Sequence, residues 1–178
     1  LLKLNRILRT VEMLPQPTVA AVHGACVAGG LELALACTFR IATEQSSMGF
    51  PETGLGLVTA AGTTYRLPRL VGYGKALEIS LLGEMLNGSE AEKAGLVTRT
   101  VSEGALEEEI KKITTSLLSR APLAVSFVKD ALCINVTPNW ETANLLEILS
   151  ASVNHYADDK FEGLAAFFEK RPPDFKGK

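Results

Sequence analysis

The chain has 178 residues and a mass of 19.0 kDa, and 47% of its residues are hydrophobic against 21% that are charged. This composition excludes disordered, collagen-like and disulfide-scaffold proteins and predicts a globular chain that is long enough to bury a core. The formal net charge of −2 disfavours nucleic-acid binding, which depends on clustered Lys and Arg. No apolar run approaches the roughly 20 residues of a membrane-spanning helix. Charged residues interrupt the first turns of the chain, which excludes a signal peptide there.

The cysteines and histidines predict neither a disulfide framework nor a metal site. Cys26, Cys37 and Cys133 stand singly in apolar surroundings and show no CxxC spacing. We expect them to be reduced, buried core thiols of an intracellular protein. His23 and His155 lie far apart in sequence, and no spacing suggests further ligands for a histidine-based metal site.

Hydrophobic periodicity and the positions of Gly and Pro predict short strands interleaved with helices over the first part of the chain. In chain order the predicted elements are a helix over 1–14, a strand over 18–22, a loop over 24–30, a helix buried almost all round over 31–37, a strand over 39–43, a loop over 46–51, and helices over 59–70 and 74–82. A capping box from Ser89 to Glu92 predicts a helix that ends at Gly95, and a strand is predicted over 97–101.

From Gly104 onward the pattern is helical to the end of the chain, with predicted breaks at Pro122, Pro138 and around Asp158. Strands interleaved with helices and followed by a helical C-terminal third predict an α/β fold.

Glu32 is a carboxylate inside an otherwise apolar helix, where an ionisable group is unexpected unless it is paired or functional. It lies three positions after Gly29 in Ala28-Gly29-Gly30, where a loop enters the helix. The first turn of a helix leaves backbone N–H groups unpaired, and glycines allow another group to approach them. One short segment could therefore supply both an anion-binding amide and a carboxylate base. The alternative is that the glycines only allow tight packing, while Glu32 is exposed or salt-bridged.

Glu52 is the second candidate carboxylate. Pro51 fixes the entry to its loop, and Gly54 and Gly56 permit an unusual backbone path, so the loop can present Glu52 at a defined place. Two carboxylates in one pocket can divide their roles, one accepting a proton and the other donating one. The alternative is a solvated loop carboxylate.

Several blocks of sequence support a family resemblance by their order and spacing. They are Pro17–Gly24 (PTVAAVHG), Val27–Ala34 (VAGGLELA), Phe50–Glu52 (FPE), Arg66–Arg69 (RLPR), Gly83-Glu84, Ala91–Val97 (AEKAGLV) and Glu162–Pro172 (EGLAAFFEKRP). Together these blocks resemble the enoyl-CoA hydratase/isomerase (crotonase) superfamily over essentially the whole chain. The resemblance implies an α/β crotonase-like ββα spiral, incomplete at its N-terminus, whose C-terminal portion occupies residues 1–103. It also implies a helical oligomerisation region, the trimerisation region of the family, over residues 104–178.

The resemblance implies a hydro-lyase of fatty acid metabolism that reversibly adds water across the α,β double bond of an acyl-CoA thioester. Glu32 and Glu52 match the two catalytic glutamates, with Glu32 as base on the water and Glu52 delivering a proton to the α-carbon. Gly29 matches an oxyanion-hole donor to the thioester oxygen, and Ala28 and Gly30 match neighbouring substrate-binding positions. The resemblance implies no metal and no cofactor, since coenzyme A is part of the substrate.

The C-terminal block also has a counterpart in the family. It implies a homotrimer, or a hexamer built as a dimer of trimers, in which Phe167 and Lys170 approach the CoA nucleotide of a neighbouring subunit. The alternative is that Phe167 lies in a helix interface and Lys170 is solvated. We expect neither a nucleic-acid nor a membrane partner, and an intracellular location in the bacterial cytoplasm or the mitochondrial matrix.

Two departures from the family pattern leave alternatives open. The chain opens without Met and lacks the upstream loop that supplies the family's other oxyanion donor, so we expect that its beginning is missing and leave open whether this chain alone is active. Residues 59–64 replace the family's Pro-Gly-x-Gly-Gly-Thr run, which leaves the acyl chain open, although the Ala60 N–H can still bind water. The alternative functions are an enoyl-CoA isomerase and a non-catalytic acyl-CoA-binding homologue.

Overall fold

The computed structural model of the chain describes residues 2–134 and 140–178, and it divides into two compact units. The first unit comprises the chain up to Leu14 and the segment Thr18–Lys111, and the second comprises Pro15–Pro17 and Lys112–Lys178. All strands in the described part of the chain lie in the first unit, and the second is helical. None of the helices in these ranges is long and apolar enough to cross a membrane.

The first unit contains all six strands of the described chain and most of its shorter helices. Its elements are α1 (Leu2–Glu12), β1 (Val19–Val22), β2 (Ala25–Val27), α2 (Gly29–Ala36), β3 (Phe39–Thr43), β4 (Ser47–Gly49), a first 3₁₀ helix (Pro51–Leu55), α3 (Thr63–Val71), α4 (Tyr73–Leu81), β5 (Leu86–Asn87), α5 (Gly88–Lys93), β6 (Arg99–Val101), a second 3₁₀ helix (Glu103–Ala105) and α6 (Leu106–Leu118), which continues past the end of the unit. The second unit contains α7 (Pro122–Ile134), α8 (Trp140–His155) and α9 (Asp158–Glu169).

The strands form two three-stranded sheets, and the first four strands alternate between them. One sheet has the order β1-β3-β6 and is parallel throughout. The other has the order β2-β4-β5, with β2 and β4 parallel and β5 antiparallel to β4. Only His23 and Gly24 connect β1 with β2, and Gly24 adopts a left-handed φ of 65°. Its carbonyl accepts a hydrogen bond of 2.9 Å from the Ser47 N–H, which fixes this connection against β4.

Most of the predicted elements are confirmed, including α1, α2, β1, β3, β6 and the two helices α3 and α4. The predicted loops over 24–30 and 46–51 are wrong, because they contain the three-residue strands β2 and β4. The capping box is displaced by two residues, since Asn87 caps α5 and exchanges hydrogen bonds with Glu90. The helix predicted from residue 59 begins at Thr63.

The predicted breaks at Pro122 and near Asp158 are confirmed, and the one at Pro138 lies outside the described residues. The prediction of helix to the end of the chain is wrong, because α9 ends at Glu169. Both oxygens of the buried Asp159 carboxylate accept backbone hydrogen bonds from the C-terminal segment, from the Lys176 N–H at 2.6 Å and the Gly177 N–H at 2.8 Å. These bonds hold the extended segment against α9.

The core of the first unit lies between the sheets and helices α2 to α5. Leu31, Met48, Phe50, Ile79 and Leu96 are among its fully buried side chains. Because α2 contributes buried residues on several sides, its apolar sequence is explained by burial, although Leu33 is half exposed.

The cysteines differ from the expectation of fully buried core thiols. Cys26, Cys37 and Cys133 are free thiols and are only partly buried. Burial raises the pKa of the Cys26 thiol, which keeps it protonated.

Arg40 joins β3 to the carboxyl end of α2. Its buried guanidinium donates to the carbonyl oxygens of Cys37 at 2.7 Å and Leu96 at 2.8 Å. Carbonyl groups at the end of a helix carry partial negative charge and lack helical partners, so a cation is favourable there. Burial lowers the pKa of Arg40, but an arginine still remains charged near neutral pH.

We predict that Gly88→Ala destabilises the first unit by about 3 kcal/mol, because the added methyl group overpacks a closed junction between α5 and β3. A Cβ on Gly88 would lie 2.2 Å from the Thr43 carbonyl oxygen and 2.9 Å from Thr100 Cγ2. The matched control is Gly74→Ala, where a Cβ would meet no atom within 4 Å, and where helix propensity predicts a gain of up to about 1 kcal/mol. Urea unfolding followed by circular dichroism measures both, and equal midpoints for the two variants would contradict the prediction.

Candidate active site

Parallel pairing of β2 with β4 brings the segments of Glu32 and Glu52 to the same edge of a sheet. Val27 at the end of β2 lies opposite Gly49 at the end of β4, so the two strands end side by side. Just beyond the pairing, the Ala28 N–H donates a hydrogen bond of 3.3 Å to the Gly49 carbonyl oxygen. Helix α2, which carries Glu32, and the first 3₁₀ helix, which carries Glu52, both begin within two residues of these strand ends.

Glu32 is the fourth residue of α2, and only 7% of it is exposed. Its carboxylate turns back towards the start of the helix, because Oε2 lies 3.8 Å from the position that a Cβ on Gly29 would occupy. The alternative of an exposed Glu32 is therefore wrong. No ion pair within the described ranges involves Glu32.

Glu52 is also buried, with 8% of the residue exposed, so the alternative of a solvated loop carboxylate is wrong. Its Oε2 atom is buried and has no hydrogen-bond partner among the residues that the structure describes. A buried carboxylate oxygen without a partner is costly, and such groups in native proteins are commonly explained by a bound ligand, water or a catalytic role.

The chain on both sides of Glu52 is firmly held. Phe50 is fully buried before it, and Pro51 starts the 3₁₀ helix. The Thr53 hydroxyl donates to the carbonyl oxygens of Ser80 at 3.3 Å and Leu81 at 3.2 Å, at the end of α4. These anchors fix the backbone of Glu52 and restrict the positions that its carboxyl group can reach.

The start of α2 offers backbone donors next to Glu32. Ala28 is the N-cap residue and provides no side-chain hydrogen bond to the first turn, in which Gly29 and Gly30 are exposed. The first amides of a helix have no helical acceptor, and they carry partial positive charge. An oxygen atom that gains negative charge would be stabilised at this position.

Ala28 has φ 49° and ψ −124°, a backbone conformation that residues other than glycine rarely adopt. Residues held in such conformations cost about 1–3 kcal/mol each and cluster at functional sites. The strain therefore lies directly beside the amides of Gly29 and Gly30.

The segment after the first 3₁₀ helix contains a polar group that the sequence did not single out. Thr63 is fully buried at the start of α3, and its hydroxyl has no partner among the described residues. Only its place in the Thr59–Thr64 run, where the sequence departs from the family pattern, pointed to this segment.

Phe167 and Lys170 belong to the second unit and are described with it. Phe167 is 78% exposed near the end of α9. Lys170 is exposed and ends the helix in a left-handed conformation with φ 56°. No group of three or more His, Cys, Asp or Glu side chains in the described ranges is placed to hold a metal ion.

Residues 2–178 match the family model described as enoyl-CoA hydratase/isomerase. The chain is 37% identical over 174 residues to a probable enoyl-CoA hydratase of Bacillus subtilis, covering 97% of this chain and 67% of the relative. It is 38% identical to a crotonyl-CoA hydratase of Syntrophomonas wolfei, covering 98% of this chain and 67% of that relative. An enoyl-CoA isomerase/hydratase of Mycosarcoma maydis is 39% identical, and the match covers 98% of this chain and 64% of that relative. The chain thus spans about two thirds of the length of these relatives.

The fold is similar to that of solved enoyl-CoA hydratases. The crystal structure of the enzyme from Bacillus anthracis superposes with a TM-score of 0.95 at 39% identity, covering 98% of this chain and 68% of that chain. A structure from Geobacillus kaustophilus gives a TM-score of 0.94 at 35% identity, with 99% and 67% covered. The expected α/β crotonase-like fold with C-terminal helices is confirmed by these similarities.

We predict that Ala28→Gly stabilises the chain by about 1 kcal/mol, because the relief of backbone strain exceeds the conformational entropy that glycine adds to the unfolded chain. Ala25→Gly, three residues earlier in β2, is the matched control and is expected to destabilise the chain, since no positive φ is relieved there. Urea unfolding measures both changes. A loss of stability in Ala28→Gly equal to that of the control would contradict the prediction.

Proposed function

Because the chain belongs to the enoyl-CoA hydratase/isomerase family, we propose that it catalyses the reversible addition of water across the α,β double bond of an enoyl-CoA thioester. The observation that carries the proposal is the pair of buried carboxylates, Glu32 and Glu52, on segments that follow adjacent strand ends. The Glu52 Oε2 atom has no hydrogen-bond partner among the described residues. A buried oxygen of this kind fits a group that handles a water molecule and a proton.

The proposed chemistry divides one water molecule between the two ends of the double bond. The Glu32 carboxylate takes a proton from the water as the water oxygen bonds to the β-carbon. The π electrons move towards the thioester oxygen and return to form the C–H bond as Glu52 gives its proton to the α-carbon. The proton held by Glu32 then passes to Glu52, which restores both groups. The burial of both side chains excludes bulk water that would compete for these protons.

The amide of Gly29 would stabilise the charge that develops during this step. We assign its N–H as a donor to the thioester oxygen, with Ala28 and Gly30 lining the same part of the substrate site. The oxygen carries more negative charge in the enolate-like transition state than in the substrate, so the donor lowers the barrier rather than only improving binding. Loss of one such donor typically costs about 10²–10³ in rate.

Isomerisation of an enoyl-CoA double bond is the second candidate, because one relative is named an isomerase/hydratase. A single carboxylate can move a proton between two carbons, and the firmly held Glu52 suits that task. The two reactions differ in their need for Glu32, which only water addition requires as the base.

We further propose that the helical region over 104–178 forms the contacts of a homo-oligomer, a trimer or a dimer of trimers. Exposed aromatic side chains on α9 support this assignment, with Phe161 at 57% and Phe168 at 78% exposure. In such an oligomer Phe167 and Lys170 would contact the adenine and a phosphate of the coenzyme A bound to a neighbouring subunit. The relatives named above are bacterial or fungal, and others are named mitochondrial, which supports a location in the bacterial cytoplasm or the mitochondrial matrix.

Glu32→Gln and Glu52→Gln are each expected to lower kcat for hydration of crotonyl-CoA by about 10²-fold or more, because each removes one proton-transfer group without changing the side-chain shape. Loss of the conjugated enoyl absorbance measures the rate. Glu44→Gln, on the exposed loop after β3, is the control and is expected to keep full activity.

Two outcomes would overturn the assignment. If Glu32→Gln keeps most isomerase activity on a 3-enoyl-CoA while the unmodified chain adds no water, the function is isomerisation. If the unmodified chain binds crotonyl-CoA, but neither lowers its absorbance nor isomerises a 3-enoyl-CoA, it is a non-catalytic acyl-CoA-binding homologue.

Lys170→Ala is expected to raise the KM for crotonyl-CoA by about 10-fold, because it removes a cation that would pair with a phosphate of the nucleotide. The KM for crotonyl-pantetheine, which lacks the nucleotide, is expected to stay the same. Lys93→Ala, an exposed lysine at the end of α5, is the control. An equal change for both thioesters would show that Lys170 does not contact the nucleotide.

A further inference from the structure

We propose that Arg66 is a positioning residue that holds the turn over residues 59–62, the segment that follows Glu52, and that Glu12 supports it from α1. The structural part of this proposal stands on the contacts of Arg66 alone. Its consequence for catalysis rests on the function proposed above for Glu52.

Arg66 is buried in α3, with 7% of the residue exposed, and its guanidinium joins two other parts of the chain. Nη1 donates to the Ala61 carbonyl oxygen at 2.9 Å, and Nη2 donates to Glu12 Oε2 at 2.9 Å. A Cβ on Gly62 would lie only 2.4 Å from Nη1. The guanidinium therefore packs directly against the backbone of the turn at Gly62, whose left-handed φ of 86° itself favours glycine.

The turn needs such a restraint, because Ala61 is held in a left-handed conformation with φ 51°. This conformation is unfavourable for a residue other than glycine, because its Cβ crowds the following carbonyl oxygen. It persists only where the surrounding structure determines it, and Ala61 is almost fully buried. The Thr63 N–H donates to the Ala60 carbonyl oxygen at 2.9 Å, so the carbonyl groups of both Ala60 and Ala61 are fixed. These two bonds set the orientation of the peptide planes in the turn.

Glu12 keeps the guanidinium in place as a negatively charged partner. Burial by itself would raise the pKa of Glu12, but hydrogen bonds from Arg66 and Arg9 outweigh burial and lower it. Arg66 Nε is buried without an acceptor among the described residues, which is unfavourable because a buried donor loses its hydrogen bond to water. A side chain needed only to fill space would avoid that cost. The bonds of Arg66 to Ala61 and Glu12 give a reason for an arginine at this position.

The held turn is continuous with the backbone of Glu52. The Leu57 N–H donates to the Glu52 carbonyl oxygen at 2.9 Å, which closes the 3₁₀ helix. From there a short segment runs to the turn, and Thr59 within it is buried. The segment is thus anchored at Glu52 on one side and at Arg66 on the other. Because Thr53 holds this helix to α4, a displacement of the turn would act on Glu52 through the Leu57 bond, and a small movement would shift its carboxyl group relative to the substrate.

Hydrogen exchange of the full chain tests the structural part without any assay of activity. In Arg66→Met, amides in the 57–65 segment are expected to exchange about 10-fold faster, because one hydrogen bond to the turn is lost. Amides of β3 are expected to keep their exchange rates. Arg99→Met, which removes a half-exposed ion pair with Glu109, is the control and is expected to leave the 57–65 segment unchanged.

Two further experiments with less disruptive substitutions keep the test decisive if Arg66→Met fails to fold. Glu12→Gln retains the bond to Ala61 and is expected to give a smaller increase in exchange, confined to the same segment. Ala61→Gly removes the backbone strain, and in that background Arg66→Lys is expected to have less effect than in the unmodified chain. Faster exchange throughout the first unit, or unchanged exchange in the turn, would overturn the proposal.

The catalytic consequence has its own measurement. Glu12→Gln and Arg66→Lys are expected to lower kcat for crotonyl-CoA about 10-fold while KM changes little, since a displaced Glu52 impairs proton transfer more than binding. A rise in KM with unchanged kcat would contradict the positioning role. If the unmodified chain adds no water, the proposed function fails, while the exchange experiment still decides the role of Arg66.

Discussion

The candidate site depends on the pairing of two strands that are only three residues long. The parallel register of β2 with β4 places Val27 beside Gly49, and every group assigned to the chemistry of the first unit follows one of these two strand ends. Burial of Met48 and Phe50 along the second of these segments stabilises the pairing. The sheet therefore sets where the first 3₁₀ helix begins relative to α2, and the segment that follows Glu52 then restricts the position of its carboxyl group.

The sequence allowed the two glutamates to be predicted because each conflicts with its surroundings. A carboxylate within an apolar helix, as at Glu32, and a carboxylate after a proline in a glycine-rich loop, as at Glu52, are unusual enough to indicate a site. The glycines at the start of α2 likewise indicated free backbone amides. The strained conformation of Ala28 could not be predicted, because an alanine in that position carries no compositional signal.

Other parts of the fold escaped prediction for identifiable physical reasons. Strands of three residues, such as β2 and β4, are too short to show an alternating pattern, and they form because a neighbour offers hydrogen bonds. The capping box was predicted two residues too late, because Ser89 and Asn87 are both good N-cap residues. Asn87 is the cap because β5 ends there and α5 begins at the next residue. The role of Arg66 could not be predicted, because Glu12 is distant in sequence and Ala61 contributes only a backbone oxygen.

The two-residue connection through His23 and Gly24 has a consequence for how the first unit folds. Because β1 and β2 belong to different sheets and only two residues separate them, pairing of either strand in its own sheet brings the start of the other sheet close. Both sheets also pair strands that are remote in sequence, as in the register of Ile41 with Arg99. Nonlocal pairing of this kind slows folding, because the entropy of closing a long loop is lost before the contacts form. We therefore expect the site to be absent from a partly folded first unit in which β2 and β4 have not yet paired.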